Sequence, residues 1–181
     1  VFRSGSSIRV KRNAYDSCME EFAGFLKDFA EGSIPQEEYW QRWRNVWDAS
    51  SHITEYFDGD LVARDSLLSE IFTQYQDSQS SFMSTTEQEK LSSLPKELDI
   101  FRGGQQANIS GWSWTLDRDS AQEYALSGAK DGRPLLVSAF GISSSAILAY
   151  LMDGESNELI VDPLTVTIET AEHAEIFFER L

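Results

Sequence analysis

The hydrophobic pattern of the chain changes its period at Pro95, and this change constrains the fold more than any other feature. Before Pro95, apolar residues recur every three or four positions, which is the spacing of amphipathic helices. After Pro95, short apolar runs alternate with turn residues, which is typical of strands. Helices that precede a group of strands indicate an α+β fold. The sequence therefore predicts a helical region over 1–95, packed on or beside a strand-rich region over 96–181.

Three helices are predicted in the helical region. The first covers 14–31 and stops at Gly32, and the second follows the start signal Ser33-Ile34-Pro35-Gln36, with Ser33 as its hydroxyl cap. Asp60 is expected to cap the third helix. The run 76–86 is rich in Ser, Gln and Thr and is predicted to be a linker. The second helix carries an apolar stripe that we interpret as core, made of Tyr39, Trp40, Trp43, Val46 and Trp47.

The strand-rich region is predicted to contain one helix, which opens at Asp117 and ends near Leu126. The predicted strands are short apolar runs bounded by turn residues. They cover residues 98–101, 112–115, 135–140, 146–151, 159–161, 165–168 and 175–178.

The formal charge of the chain limits its partners. The sequence has 15 Lys and Arg against 30 Asp and Glu, a formal charge of −15, and the acidic excess is spread over both regions. Such a surface repels phosphate backbones, which argues against nucleic acid as a partner. The charge is explained either by solubility or by attraction of a basic protein partner. A small basic arm is interpreted as a solvated terminus and consists of Arg3, Arg9, Lys11 and Arg12.

Cysteine and histidine are too scarce to suggest a disulfide framework or a metal site. The single cysteine, Cys18, is interpreted as a packed thiol, and His52 and His173 lie far apart in the sequence. No apolar run reaches the ~18 residues of a membrane-spanning helix. No signal-peptide pattern opens the given sequence. We therefore expect no metal and no membrane partner, and a cytoplasmic location, with delivery into a host cell as the alternative.

Three short motifs place a polar residue where an apolar strand meets a loop. They are Phe101-Arg102-Gly103, Ser113-Trp114-Thr115, and Glu158 followed by an apolar run. Strand ends of this kind are where rigid scaffolds usually hold binding and catalytic residues. Each motif taken alone has a structural interpretation: Arg102 pairs with a carboxylate, the hydroxyls bond to backbone, and Glu158 faces solvent.

In this order, the motifs resemble those of the ADP-ribosyltransferase family, in its Arg–Ser–Glu class, over roughly 97–170. In that family an aromatic-Arg-Gly sequence ends the first strand, a Ser-x-Ser/Thr element lies on a later one, and a Glu precedes a hydrophobic strand. The helix with Ala121 and Tyr124-Ala125 and the segment 146–150 are also similar. The resemblance implies an ADP-ribosyltransferase-like mixed β core over 96–181 and an enzyme that uses NAD as its substrate.

The resemblance assigns a role to each motif residue. Glu158 would stabilise the oxocarbenium-like state that forms when the bond between nicotinamide and ribose breaks. Arg102 suits the pyrophosphate or the adenosine ribose of NAD, and Ser113 would position Glu158 and the nicotinamide ribose. Trp114 or Tyr150 would stack on the nicotinamide, with core packing as the alternative for both. The other residues expected at the dinucleotide are Gly103, Gly104 and Thr115.

The acceptor side departs from the family pattern. Many members that modify proteins carry Glu or Gln two residues before the catalytic Glu, and this position is Ser156. On a strand, Ser156 and Glu158 face the same way and Glu155 faces the other, so Glu155 would substitute only if the loop 153–155 turns it inward. Modification of arginine is therefore not favoured. Another protein side chain is expected as the acceptor, with water, in plain NAD hydrolysis, as the alternative.

Two further functions fit the same sequence. One is a non-catalytic acidic binding protein, either a decayed family member or a decoy that mimics nucleic acid and inhibits a basic partner, which the charge of −15 favours. The other is a sensor that binds NAD without transferring ADP-ribose. Turnover of NAD separates the enzyme from both, and binding of NAD separates the sensor from the decoy.

Overall fold

The computed structural model describes residues 19–49, 53–105, 108–127, 134–153 and 156–174. These residues form an α+β structure in which a helical region precedes the strands. The helices are α1 (19–30), α2 (Gln36–Ala49), α3 (Ile53–Tyr56), α4 (Leu61–Thr73), α5 (Thr85–Ser92) and α6 (Arg118–Ser127), with short 3₁₀ helices at Gln76–Phe82 and Ser144–Ala146. The strands are β1 (Glu97–Gln105), β2 (Ser113–Trp114), β3 (Pro134–Ser143), β4 (Ile147–Asp153), β5 (Ser156–Val161) and β6 (Thr170–His173).

The strands form two antiparallel sheets of three strands each. The first sheet has the order β1-β3-β6 and the second has the order β2-β5-β4. Within the described residues a β-bridge joins them, because Phe101 of β1 and Thr115, just after β2, exchange two main-chain hydrogen bonds of 2.8 Å. This bridge sets the end of β1 beside β2.

The second sheet packs on both of its faces. Along β5, Leu159 and Val161 belong to a core shared with the first sheet, whereas Ile160 belongs to a core shared with the helices. This alternation follows from the period of two in a strand. The core against the helices is rich in aromatic side chains, which include Phe22, Phe25, Tyr39, Trp40, Trp43, Phe72 and Phe82. The predicted packing of helices on a sheet is therefore observed.

Local start and stop signals account for several helix ends. Gly32 adopts φ +63° and ends α1, with main-chain bonds from Gly32 to Phe29 and from Ser33 to Asp28. Asp60 caps α4, since its Oδ1 accepts hydrogen bonds from the amides of Val62 and Ala63. Both predictions are confirmed. Ser33 differs from its prediction, because its hydroxyl donates to the carbonyl of Asp28 at the end of α1.

Two predictions about irregular segments are wrong. Residues 76–86 are not a linker, because Phe82 is buried among the rings of Trp40, Trp47 and Phe72, and Ser84 starts α5. Residues 165–168 do not form a strand, and the chain instead pairs with β3 from Thr170 onward. The strand predicted over 175–178 lies outside the described residues, as do Cys18, His52 and the basic arm.

A buried carboxylate ties the helical region to the second sheet. Both terminal guanidinium nitrogens of Arg44 in α2 bond to Glu87 of α5, at 3.1 and 3.0 Å, and the amide of Met152 in β4 donates to the same carboxylate at 2.9 Å. The amide of Ser84 adds a fourth bond at 2.7 Å. Burial alone would raise the pKa of Glu87, but these hydrogen bonds outweigh it and lower the pKa to about 2. The ionised form of Glu87 therefore stabilises the contact between α2, α5 and β4.

Glu87 makes the stability of the fold depend on pH in the acidic range. Because the pKa of Glu87 is depressed in the folded state, its contribution is present above about 4.5 and is lost as the pH falls towards 2. We expect the free energy of unfolding to fall by about 3 kcal/mol over this range on account of Glu87. Urea unfolding at a series of pH values measures this loss in the parent and in Glu87→Gln, which should be less stable at pH 7 and depend less on pH.

Glu89→Gln is the matched control for this experiment, because Glu89 lies on the same helix and is exposed. The free energy of unfolding of Glu89→Gln should depend on pH as it does in the parent. If the free energy of unfolding of Glu87→Gln also had the same pH dependence as the parent, the role given to Glu87 would be wrong.

Candidate functional site

The three motif residues lie on adjacent strands, where β1, β2 and β5 come together. The bridge between Phe101 and Thr115 places Arg102 beside β2, and Ser113 lies opposite Ile160 of β5. Residues directly opposite each other in a sheet share a face, as do residues two apart on a strand. Ser113 and Glu158 therefore lie on the same face of the second sheet, on neighbouring strands.

Arg102 holds the loop that leads into β2. Its three side-chain hydrogen bonds in the described part of the chain go to main-chain carbonyls, those of Asn108 (3.2 Å), Ile109 (3.1 Å) and Ser113 (2.6 Å). Gly111 lies flat against this guanidinium, because a Cβ added there would lie 2.5 Å from Cζ of Arg102. A planar fork of donors suits three carbonyls spread along one loop.

Arg102 keeps its positive charge among these neutral acceptors. Burial lowers the pKa of Arg102 to about 10, and the positive charge of Arg64 acts in the same direction. Tyr124, Glu158 and Asp65 act in the opposite direction, through space. The side chain is therefore protonated at neutral pH, and Glu158 is one of its electrostatic neighbours.

Glu158 faces the helical region. Its neighbour on the same strand face, Ile160, is buried against the helices, and its partner across β4 is Leu151, in the same core. The indole N–H of Trp47 in α2 donates to Oε2 of Glu158 at 3.4 Å. Glu158 itself is only partly buried. The carboxylate thus lies at the edge of the core, with one oxygen hydrogen-bonded by α2.

Two residues of the helical region also bind the loop before β2 that Arg102 holds. Arg64 and Asp65 of α4 form a buried ion pair at 2.7 Å, and Arg64 donates to the carbonyl of Ser110 at 3.1 Å. Asp65 also accepts from the indole N–H of Trp112 at 3.0 Å. Neither charged residue is predicted from the sequence as part of the site, although Asp65 and Arg64 lie three and four positions before Leu68 on the buried stripe of α4. Charges at core spacing are the signal that could have identified them.

The remaining predicted residues have structural contacts. Trp114 is buried between the sheets and its indole N–H donates to Gly111, and Tyr150 packs against the same core, on the face of the second sheet opposite Glu158. Core packing, the alternative left open for both, is what the structure describes. The hydroxyl of Thr115 donates to Oδ1 of Asn157 at 3.1 Å. Thr115 thus ties the end of β2 to β5.

The glycines after Arg102 serve packing within the protein. A Cβ on Gly103 would clash with the carbonyl of Ala121 and lie 2.8 Å from the amide of Ala125, so Gly103 allows α6 to lie against β1. A Cβ on Gly104 would lie 2.9 Å from Oδ1 of Asn108. The expectation that these glycines admit a dinucleotide is therefore replaced by close approach of α6 and of the loop.

On the acceptor side, Ser156 is exposed at the start of β5, opposite Asp153 of β4. It lies on the same strand face as Glu158, as predicted. Glu155 lies outside the described residues.

Comparison with known proteins finds no relative of this chain. No described protein family matches the chain, and neither the curated proteins nor the solved structures contain a match. Among the described residues, no three His, Cys, Asp or Glu side chains are grouped so that they could hold a metal ion. None of the helices in the described ranges has the length and apolar character needed to cross a bilayer.

The contact between Gly111 and Arg102 predicts a specific defect. Gly111→Ala would displace the guanidinium from three carbonyls, so we expect it to lower the free energy of unfolding by about 1–3 kcal/mol. In an Arg102→Ala background, the same change should have little further effect. Urea unfolding of the four proteins measures this coupling.

Gly24→Ala is the matched control for this cycle, because nothing lies within 4 Å of a Cβ added at Gly24 inside α1. It should stabilise the protein by about 0.5–1 kcal/mol. An undiminished loss for Gly111→Ala in the Arg102→Ala background would show that Gly111 is needed for another contact.

Proposed function

We propose that this protein is an NAD-dependent ADP-ribosyltransferase of the Arg–Ser–Glu class, with an ADP-ribosyltransferase-like core over 96–181. The observation that carries the proposal is the proximity of Arg102, Ser113 and Glu158 at the junction of β1, β2 and β5. Arg102 donates to the main-chain carbonyl of Ser113, Ser113 and Glu158 share a sheet face on neighbouring strands, and Glu158 acts on Arg102 through space. These residues lie up to 56 positions apart in sequence, and a site built from the three motifs needs them close together.

Arg102 is suited to the anionic part of NAD. Its charge is neutralised by no hydrogen-bonded carboxylate within the described residues, and its donors are fixed by carbonyls of one loop. A guanidinium held in this way offers a local positive charge on a protein whose formal charge is −15. The ring of Tyr124, which is 67% exposed and lies on α6 beside β1, offers an apolar face for a base of the dinucleotide.

Glu158 is suited to the cleavage step. The bond between C1′ of the ribose and the nicotinamide nitrogen breaks, and nicotinamide leaves as a neutral molecule with the bonding electron pair. The carboxylate of Glu158 stabilises the positive charge that develops on the ribose, aided by a hydrogen bond to a ribose hydroxyl. The acceptor then forms a bond to C1′ and releases its proton. Ser113, on the same sheet face, holds Glu158 and the nicotinamide ribose in position.

The acceptor side favours a side chain other than arginine. Ser156 takes the position of the family's acceptor-activating Glu or Gln, and its hydroxyl is neither charged nor a strong base. A protein acceptor that needs no such activation, or water, fits this position better. The acidic surface would attract a basic protein. A basic protein is therefore favoured as the one whose side chain accepts the ADP-ribose.

Removal of the carboxylate charge tests the proposal. Glu158→Gln should lower the rate of nicotinamide release from NAD by about 10²–10³-fold, because it removes a charge that acts on the transition state. Release of nicotinamide is followed with labelled NAD, with and without a cell lysate as the source of acceptors. Thermal unfolding of the variant should match that of the parent within a few degrees.

Glu169→Gln makes the same change of charge at an exposed position and should leave the rate unchanged. Equal rates for Glu158→Gln and the parent would refute the role of Glu158. A parent protein that releases no nicotinamide would refute the enzymatic proposal and favour the acidic binding protein.

A further inference from the structure

The helical region sends one side-chain donor directly to the proposed catalytic carboxylate. Trp47 lies near the end of α2, 111 positions before Glu158, and its indole N–H donates to Oε2 of that residue at 3.4 Å. From its sequence position, Trp47 belongs to a stripe of aromatic residues that suggests core packing alone. Its contact with Glu158 distinguishes it from the rest of the stripe.

The other two indoles of α2 serve the core. Trp40 donates to the main-chain carbonyl of Tyr75 at 3.0 Å, within the helical region. The indole nitrogen of Trp43 is fully buried and has no hydrogen-bond partner among the described residues. Of these three tryptophans on one helix, Trp47 is the one that contacts a motif residue.

The ring of Trp47 is held so that its N–H points in one direction. It makes edge-to-face contacts with Trp43, Phe72 and Phe82, at centroid distances of 5.9, 5.9 and 6.5 Å. An aromatic ring enclosed on three sides cannot turn without disturbing the core. The direction of its hydrogen bond is therefore set by packing.

The helix itself is fixed relative to the strand that carries Glu158. Arg44, one turn before Trp47, binds Glu87, which also accepts the amide of Met152 in β4. The neighbour of Met152, Leu151, is the residue opposite Glu158. A continuous series of hydrogen bonds and strand pairs therefore connects α2, which carries Trp47, to β5, which carries Glu158.

We propose that Trp47 is a positioning residue for Glu158, so that the helical region forms part of the active site. This inference rests on the proposed function. The indole N–H holds Oε2 and thereby directs Oε1 towards the ribose hydroxyl, and the aromatic wall excludes water from that side of the carboxylate.

Trp47→Phe tests the inference because it keeps the ring and removes the donor. We expect kcat for nicotinamide release to fall by about 10- to 100-fold, the effect of losing one hydrogen bond to a charged group. KM for NAD should change little, since the contacts of Arg102 remain. Trp47→His, which retains a ring N–H in a smaller side chain, should recover part of the lost rate.

Trp43→Phe is the matched control, because it makes the same substitution one turn earlier at an indole without a partner in the described structure. Its kcat should stay close to that of the parent. Combination of Trp47→Phe with Glu158→Gln should give no slower enzyme than Glu158→Gln alone, because Trp47 acts through the charge that Glu158→Gln already removes.

The outcomes separate the two proposals. If the parent releases nicotinamide and Trp47→Phe retains the kcat of Trp43→Phe, the positioning role is wrong and the proposed function stands. Additive losses in the double variant would also overturn the positioning role. If the parent releases no nicotinamide, the proposed function fails, and the role of Trp47 fails with it.

Discussion

Burial of the second sheet on both of its faces is the constraint on which the rest of the structure depends. In β5, Leu159 and Val161 pack towards the first sheet and Ile160 packs towards the helices. A slip of one residue would exchange these faces, so the register of β5 is strongly specified. Glu158 shares the face of Ile160, where the apolar part of the strand ends. The carboxylate is therefore directed at the helices by the same alternation that builds the core.

Polar ties at the rim of this core fix the helical region to the strand-rich region. Arg44 and Glu87 join α2, α5 and β4, and Arg64 with Asp65 joins α4 to the loop before β2. Buried charges are costly unless they are paired and hydrogen-bonded, and each of these has such partners. Because the ties end on β4 and on the loop of Arg102, they hold in place the segments on either side of Glu158.

The same hydrogen bonds and ion pairs give a structural role to the described residues of the helical region, 19–49 and 53–95. Their aromatic core covers one face of the second sheet, and their side-chain donors reach Ser110 in the loop before β2 and Glu158 in β5. A strand-rich region without them would expose Ala149, Leu151 and Ile160 to water. The helical region is thus a structural part of the candidate site.

Local signals in the sequence were sufficient for much of the fold. Gly32 and Asp60 mark helix ends through their own backbone and side chain, so they can be recognised without tertiary information. The segment around Phe82 could not be recognised, because its Ser, Gln and Thr residues resemble a linker and a single buried ring decides its structure.

The same difference between local sequence signals and tertiary contacts applies within the candidate site. Arg102, Ser113 and Glu158 were identified from short motifs, and the strand pairing brings them together. The contacts of Trp47, Arg64 and Asp65 depend on how the helices pack on the sheet, and no local pattern contains that information. The packing of Gly103 against α6 also depends on tertiary structure and is not predicted from the motif.

The most direct test of the account is a crystal structure of the protein with an NAD analogue that resists cleavage. The prediction is that the pyrophosphate or adenosine ribose lies at Arg102 and that a hydroxyl of the nicotinamide ribose lies within hydrogen-bonding distance of Glu158. An analogue bound away from the junction of β1, β2 and β5, or no binding at saturating concentration, would contradict it.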